Sequence, residues 1–562
     1  MPNIILGLHG GANATAAVAV DGDVAYCVQE ERLTGLKGYM GFPHRAVQAC
    51  LDAVGAKPDE VTSVAYGSRS GAVDHCARDE WLRRLRGFHR RPLLAQAEAR
   101  LVAADPDGMD TRVRTLLEQA GLTKAAISFH DHHTMHGAAA YYGLRTDPAQ
   151  LYLVVTCDGF GDGACATIAI WHNGHREEVA RTDMRNSLGL LWFWLTHAYG
   201  FTPHEDEFKL MGMAPYARPE QATRVADILR RHLGLDAGGL RFQRTNPNLS
   251  IERGWPRIEA ELKGIRFDQV FAGLQEFTDR LLADWVSTAV AATGIHDVLG
   301  GGGVFMNVKS NQRIAGLDTV SSFAAFPSCG DESLALGALY TQLAKEGHDR
   351  VKPLADCYLG DDITDDDATN AVRGTGLHAQ RPDDIHETVA GLLAEGQIVA
   401  RCAGRMEYGA RALGNRSILA NPADPDVPRR LNQLIKQRDF WMPFAPAILA
   451  SQQARYITNP KNLASPFMML GFDAIGSATD DMIAALHPAD LSCRPQIVDD
   501  HDGSGMSTIL SSYFRATGNG ILLNTSLNLH GEPIARTAQD AVRIMLHSDL
   551  TYLQLGEWMI TK

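Results

Sequence analysis

The stretch "IILGLHGGANATAAVAVDGDVAYCVQ", Ile4 to Gln29, reads as three extended segments separated by two glycine turns. An apolar run from Ile4 to Leu8 enters His9-Gly10-Gly11; Thr15 to Val20 runs back; Asp21-Gly22 then opens a third segment, Val24 to Val28. Asp-Gly suits the left-handed backbone of a two-residue hairpin turn, so the spacing predicts an antiparallel meander. The same grammar returns in "LYLVVTCDGFGDGACATIAIWHNGHREEVA", which begins at Leu151. There Leu151 to Thr156 is a buried-type strand, and Asp158-Gly159 with Gly161-Asp162-Gly163 makes the turn. Ala166 to Trp171 returns before an Asn173-Gly174 turn. Two such units in one chain read either as unrelated hairpins or as an internal duplication.

A third glycine element favours the duplication. "HDVLGGGGVFMNVKSNQRI" places a short strand before Gly300 to Gly303 and a helical stretch from Val304. Such a turn lets main chain approach a nucleotide closely and aims a helix N-terminus at it. Paired meanders of this kind are how actin-like and sugar-kinase-like ATPases present backbone amides to phosphates. We therefore expect an α/β protein whose N-terminal domain, residues 1–350, is a duplicated actin-like ATPase domain. The polar, acidic stretch "KEGHDRVKPLADCYLGDDITDDD" marks a linker, placed at 351–380. Alternating helical and strand-like patterns then predict a second α/β domain over 381–562.

Composition narrows the function classes. At 562 residues the chain is too long for one ordinary core. A formal net charge of −13 without any long basic run argues against grip on a nucleic-acid backbone or an anionic membrane. Nine cysteines are scattered with no C-x-x-C pair, the pattern of free thiols in a reducing compartment. The segment "MPNIILGLHGG" lacks the basic and long apolar regions of a signal peptide, and no apolar run approaches the ~20 residues that span a bilayer. The expectation is a cytoplasmic protein acting on a small molecule, with no nucleic acid and no membrane; homodimerisation is left open.

"FHDHHTMHGAAAYY", Phe129 to Tyr142, holds the densest group of histidines. His132 and His136 are four apart, so on a helix they share a face and two imidazoles can reach one ion. His130 and His133 point elsewhere, and the zinc-protease pattern H-E-x-x-H fails because position 133 is histidine. The other reading is a polar helix start with local hydrogen bonds. Asp158, at a strand end in the second meander, and Asp331, in "SCGDESLALGA", are candidate oxygen ligands if the fold brings them to the pair. Two imidazoles and two carboxylates suit iron, manganese or zinc better than hard magnesium, and iron is the favoured ion.

With these residues in place the sequence resembles the O-carbamoyltransferases of nodulation-factor and antibiotic biosynthesis, including the tobramycin and cephamycin enzymes. The resemblance runs through "EERLTGLKGYMGFP", "HHTMHGAAAYY", "CDGFGDG", "FKLMGMAPYA", "GGGGVFMN", "EYGARALGNRSILANP", "RDFWMPFAPAIL", "SCRPQIV" and "LLNTSLNLHGEPI". It implies a Kae1-like N-terminal domain, similar to the universal tRNA threonylcarbamoyl-transfer ATPase, and a YrdC-like C-terminal domain, similar to its carbamoyl-adenylate-forming partner. On that resemblance His132, His136, Asp158 and Asp331 match the metal ligands. Lys209, Gly212, Gly301, Gly302, Gly303 and Asn307 match nucleotide-facing positions. Forked guanidinium donors fit the phosphate and carbonyl of carbamoyl phosphate, which makes Arg411, Arg416, Lys436, Arg438 and Arg494 its candidate ligands, with Asn524 and Ser526 as neutral partners. The implied reaction uses ATP and carbamoyl phosphate to form a carbamoyl-adenylate and passes the carbamoyl group to a hydroxyl, or an amine, of a small secondary metabolite.

One departure stands out. Many members of the family carry His-Asp in the first meander, the histidine being the expected base for the acceptor hydroxyl, whereas this chain reads Ala12-Asn13. Neither side chain takes a proton near neutral pH. His9, three residues earlier, is a weak substitute, because the turn would need to aim it differently. A nucleotide-binding pseudoenzyme, or an inactive variant lacking the transfer base, is therefore the alternative reading; tRNA threonylcarbamoyl-type modification is another, and the acidic balance counts against it. "SLGLLWFWLTHAYGF" reads as core before acceptor pocket. "HEDEFK", His204 to Lys209, reads as a solvated acidic loop.

Overall fold

The computed structural model describes residues 2–69, 106–246, 251–347, 351–436 and 439–562. It divides into two compact units, one of Met1–Thr34 with Gly38–Ala355, the other of Gly35–Lys37 with Asp356–Lys562.

The first unit is built on two five-stranded sheets. β1 (Ile4–His9), β2 (Thr15–Val20) and β3 (Asp23–Gln29) form the antiparallel meander, and β4 (Ser63–Gly67) and β5 (Ala126–His130) add to it in parallel, giving the order β3-β2-β1-β4-β5. β6 (Tyr152–Gly161), β7 (Ala164–His172), β8 (His175–Asp183), β9 (Asp297–Gly301) and β10 (Ser322–Ala325) repeat both order and directions, as β8-β7-β6-β9-β10. The hairpin turns have the backbone expected of them: φ is 51° at Asp21, 48° at Asp162 and 48° at Asn173, each followed by a glycine of positive φ. Identical strand order in two sheets is what a duplication leaves and what two unrelated hairpins would not produce.

Helices pack on these sheets. α1 (His132–Leu144), α2 (Leu188–Ala198), α3 (Phe267–Thr293) and α4 (Ser333–Gly347) are the ones that matter for the site. α2, the aromatic stretch of the sequence, is core as read: Trp192, Phe193 and Trp194 are buried, Trp194 stacking on Trp255. The glycine run differs from its reading as the start of a helix. Gly303–Met306 is a single 3₁₀ turn, and the α-helix begins at Val308 because the Asn307 side chain accepts the Ser310 N–H and caps it.

The second unit has one eight-stranded mixed sheet. Its strands are β11 (His378–Gln380), β12 (Val399–Cys402), β13 (Arg416–Ala420), β14 (Ala445–Leu449), β15 (Gln496–Val498), β16 (Ile521–Ser526), β17 (Tyr552–Leu555) and β18 (Trp558–Thr561), in the order β11-β18-β17-β12-β13-β16-β14-β15. Alternation along each strand feeds two cores. Ala400, Ile418 and Leu523 pack under the helices Asp365–Val372 and Ala538–Leu546, while Val399, Leu419 and Leu522 pack under Ile385–Ala394 and Gly505–Thr517. The expected linker at 351–380 is folded structure: it holds the helix Asp365–Val372, capped by Thr364, and β11, which pairs with β18. Its acidic run, Asp365 to Asp367, is the first turn of that helix, where negative charge is favoured.

Candidate metal centre

Four elements of the first unit converge. β5 leads to Asp131, whose carboxylate accepts the Thr134 N–H at 2.8 Å and starts α1 at His132. That start puts His132 in the first turn and His136 one turn later on the same face. A bulge at the end of β6 turns Asp158 inward, and Asp331 lies two residues before the start of α4. His132 Nε2 lies 3.1 Å from His136 Nε2, 3.4 Å from Asp158 Oδ2 and 3.6 Å from Asp331 Oδ1. His136 Nε2 lies 4.0 and 3.7 Å from the same two oxygens, and all four ligand atoms fall within 4.8 Å of one another. An ion with bonds of about 2.0–2.2 Å holds ligand atoms at most roughly 4.4 Å apart, so these four fit one with small adjustments.

Neighbouring groups orient the set. His136 Nδ1 is 2.9 Å from Ser333 Oγ, which leaves Nε2 facing the carboxylates. The Gly303 N–H donates to Asp158 Oδ1 at 2.7 Å, so one carboxylate joins the histidines to the glycine turn. Close packing makes this turn obligatory: a Cβ on Gly302 (φ 92°) would stand 2.4 Å from the Cys157 carbonyl oxygen, and one on Gly301 2.7 Å from that of His136. Electrostatics separate the two imidazoles. Burial works against a proton on either, but the Asp158 and Asp331 carboxylates raise His132 to about 9, while burial and the His132 charge lower His136 to about 3. Asp158 is held well below the usual carboxylate range by His132 and His136 against the cost of its burial; Asp331 is raised, by burial and by Asp158.

His130 and His133 do point elsewhere, to Ser128 Oγ and to Thr156 Oγ1, each at 2.9 Å. Lys209 Nζ pairs with Asp206 at 3.2 Å and lies over the Phe201 ring; Gly212 is buried in the helix Glu207–Met213. The "HEDEFK" stretch is half-buried rather than a solvated loop, and burial raises Glu207 to about 7. Asn307 is occupied by its cap and by reciprocal hydrogen bonds with Gln275. Ala12 pairs with Met40 in a two-residue ladder. Asn13, at φ 55°, donates to Glu332 Oε2 at 3.1 Å. Glu332 also accepts from Ser328 Oγ, and burial raises it to about 7. Glu332 and Ser333 escaped the sequence reading because nothing local marks them.

In the second unit, Asn524 Nδ2 donates to the Ala412 carbonyl and to Gln496 Oε1, at 3.1 and 3.2 Å, which draws the segments bearing Arg411 and Arg494 towards β16. Lys436 Nζ reaches Ser526 Oγ at 3.2 Å and Asn528 Oδ1 at 2.8 Å. Arg416 departs from its reading as a ligand group. It is fully buried and spends its guanidinium on the carbonyls of Arg536, Gly404, Asn415 and Asp361, which builds it into the loop. Glu407, unsuspected from sequence, shapes the same loop by accepting the N–H groups of Leu413, Asn415 and Arg416 on one oxygen. Arg438 lies outside the described residues.

Family models described as carbamoyltransferase N-terminus and carbamoyltransferase C-terminus match residues 4–340 and 390–562. The chain belongs to the carbamoyltransferase family. Nodulation protein NolNO of Sinorhizobium fredii is 29% identical over 575 residues, covering 100% of this carbamoyltransferase and 80% of the relative. The 3'-hydroxymethylcephem-O-carbamoyltransferase of Amycolatopsis lactamdurans is 32% identical over 43% of this chain and 44% of its own. Full-length HypF in its phosphate- and nucleotide-bound form overlaps 62% of this chain and 56% of its own at 13% identity, with a TM-score of 0.35. Among the described residues no helix is long and apolar enough to cross a membrane, and the eight described cysteines are free and buried.

Proposed function

We propose that this carbamoyltransferase uses ATP and carbamoyl phosphate to carbamoylate a hydroxyl of a small secondary metabolite through a carbamoyl-adenylate. The observation that carries the reading is the bond from the Gly303 amide to Asp158, which couples a glycine turn of the phosphate-facing kind to a two-imidazole, two-carboxylate cluster. The repeated sheet order supports an actin-like ATPase frame around that turn. The cephem relative, named for carbamoylation of a hydroxymethyl group, supports an oxygen acceptor. His132, His136, Asp158 and Asp331 would hold a divalent ion, iron favoured, which would supply electrophilic stabilisation of charge on transferring groups.

In the first step water releases phosphate from carbamoyl phosphate, and the carbamate oxygen displaces pyrophosphate from the α-phosphorus of ATP. Cations near Asn524 and Ser526, among them Lys436, Arg411 and Arg494, offset the charge of the small dianion. In the second step the acceptor oxygen bonds to the carbamoyl carbon, the bond to AMP breaks, and the hydroxyl proton must leave. Positions 12 and 13 offer no group to take it, so adenylate formation outpaces transfer. The test is pyrophosphate release from ATP that depends on carbamoyl phosphate, followed with acceptor carbamoylation in the same reaction. Steady pyrophosphate release with slow carbamoylation is expected. No carbamoyl-phosphate-dependent pyrophosphate would overturn the reading.

A further inference from the structure

Asn524 lies on β16, an inner strand of the second unit's sheet, opposite Leu419 of β13 and Ala445 of β14, with only 2% of its surface exposed. Its Nδ2 donates to the Ala412 carbonyl at 3.1 Å and to Gln496 Oε1 at 3.2 Å. The direction of this run of amides is fixed from its far end. The Leu413 carbonyl can only accept, so the Gln496 nitrogen, 2.9 Å away, is the atom that faces it, and Gln496 presents its oxygen to Asn524. The Ala412 carbonyl imposes the same orientation independently, because a flipped Asn524 would set oxygen against oxygen at both contacts. Oδ1 is the atom left over. It is buried, and among the described residues nothing donates to it.

A buried amide oxygen without a donor costs free energy, and no carboxylate, carbonyl or fully ionised phosphate can relieve it. A ligand that does so brings a hydrogen to that atom. The surroundings narrow the choice. Ser526 is two residues further along the same strand, so the two side chains point to one face of the sheet about 6.6 Å apart. Lys436 Nζ lies 3.2 Å from Ser526 Oγ. Arg411 adjoins Ala412, and Arg494 is two residues before Gln496. Cations suited to a phosphate thus stand beside one acceptor of fixed polarity. Carbamoyl phosphate carries a phosphate at one end and, in its amino group, hydrogen-bond donors at the other.

We infer that Asn524 Oδ1 accepts a hydrogen from the amino group of carbamoyl phosphate and sets the preference for carbamoyl over acyl phosphates. The inference rests on the carbamoyl phosphate reading above and deepens it by naming the atom that reads the nitrogen. The ligand-free chain closes over Oδ1, so the amino group reaches it as neighbouring side chains part. An acyl phosphate brings no hydrogen to that end and leaves the oxygen unpaired.

The test is calorimetric titration of the full chain with freshly dissolved carbamoyl phosphate and with acetyl phosphate, in which methyl replaces amino while carbonyl and phosphate remain. The parent should bind carbamoyl phosphate at least roughly a hundredfold more tightly. In Asn524→Ala and Asn524→Leu that ratio should fall below about ten, through loss of carbamoyl phosphate affinity. A residue that only braced the loop would weaken both ligands alike, so an unchanged ratio in folded variants overturns the inference. A crystal soak of the parent reads the contact without any substitution: the amino nitrogen should lie about 2.9 Å from Asn524 Oδ1. Carbamoyl phosphate held at Lys436 and Ser526 with no atom within about 3.5 Å of that oxygen, or equal affinity of the parent for both ligands, overturns the inference and leaves the substrate reading standing. No binding of carbamoyl phosphate overturns both.

Discussion

At the scale of single residues, function and stability turn on where protons sit. His132 stands near 9 because two carboxylates face it, whereas His136 is neutral throughout the physiological range. An ion arriving at pH 7 must displace the His132 proton. Metal affinity should therefore rise from pH 7 to about 9, with close to one proton released per ion, measured by titration calorimetry in buffers of different ionisation enthalpy. Glu332 gives the opposite kind of dependence. Its folded value, about 7, lies above the ordinary 4.5, so the folded state binds more protons between those values and stability falls as pH rises through them. Glu332→Gln keeps an acceptor for Ser328 and removes the charge; its melting temperature should vary less between pH 5 and 8 than the parent's, as read by circular dichroism in the metal-free protein. Asp331→Asn should abolish tight metal binding while leaving the far-ultraviolet spectrum intact, because the change is nearly isosteric.

At the scale of elements, the centre exists because α1 and α4 approach unusually closely. A Cβ on Gly337 in α4 would stand 2.1 Å from the Met135 carbonyl oxygen in α1, one residue before His136. That approach carries Ser333 to His136 Nδ1 and Asp331 to the Nε2 atoms. Gly337→Ala must push the helices apart, costing roughly 1–3 kcal/mol of overpacking. The expected result is a lower melting temperature together with metal affinity reduced at least roughly tenfold. An exposed control such as Gly391→Ala, with open space around its Cβ, should leave metal affinity unchanged. The elements also show what was legible. Hairpin turns at Asp21, Asp162 and Asn173 announce themselves because few residues tolerate positive φ, and the i, i+4 spacing of His132 and His136 is a property of the helix alone. Arg416 shows the opposite: an arginine in a basic cluster looks like a ligand until its carbonyl partners, two of them on the distant residues Asp361 and Arg536, are seen.

At the scale of the whole molecule, two compact units, each with its own buried apolar residues, predict two steps in thermal unfolding. Zinc at about one hundred times its dissociation constant should stabilise the step of the first unit by roughly 2.7 kcal/mol and leave the other in place. Carbamoyl phosphate should do the reverse, and calorimetry of the intact chain reads both. The sequence by itself determined the meanders, the two-domain plan, the family and the histidine pair, because each rests on turn chemistry, short periodicity or ordered motifs within a few residues. Only the tertiary structure decided that Asp158 and Asp331 meet that pair, that His9 faces Asp331 at 4.0 Å, that Arg416 is masonry, that 351–380 is folded, and that Asn524 keeps a bare oxygen. Those outcomes depend on sheet order and helix approach between segments far apart in the chain, and no local pattern encodes the distance between them.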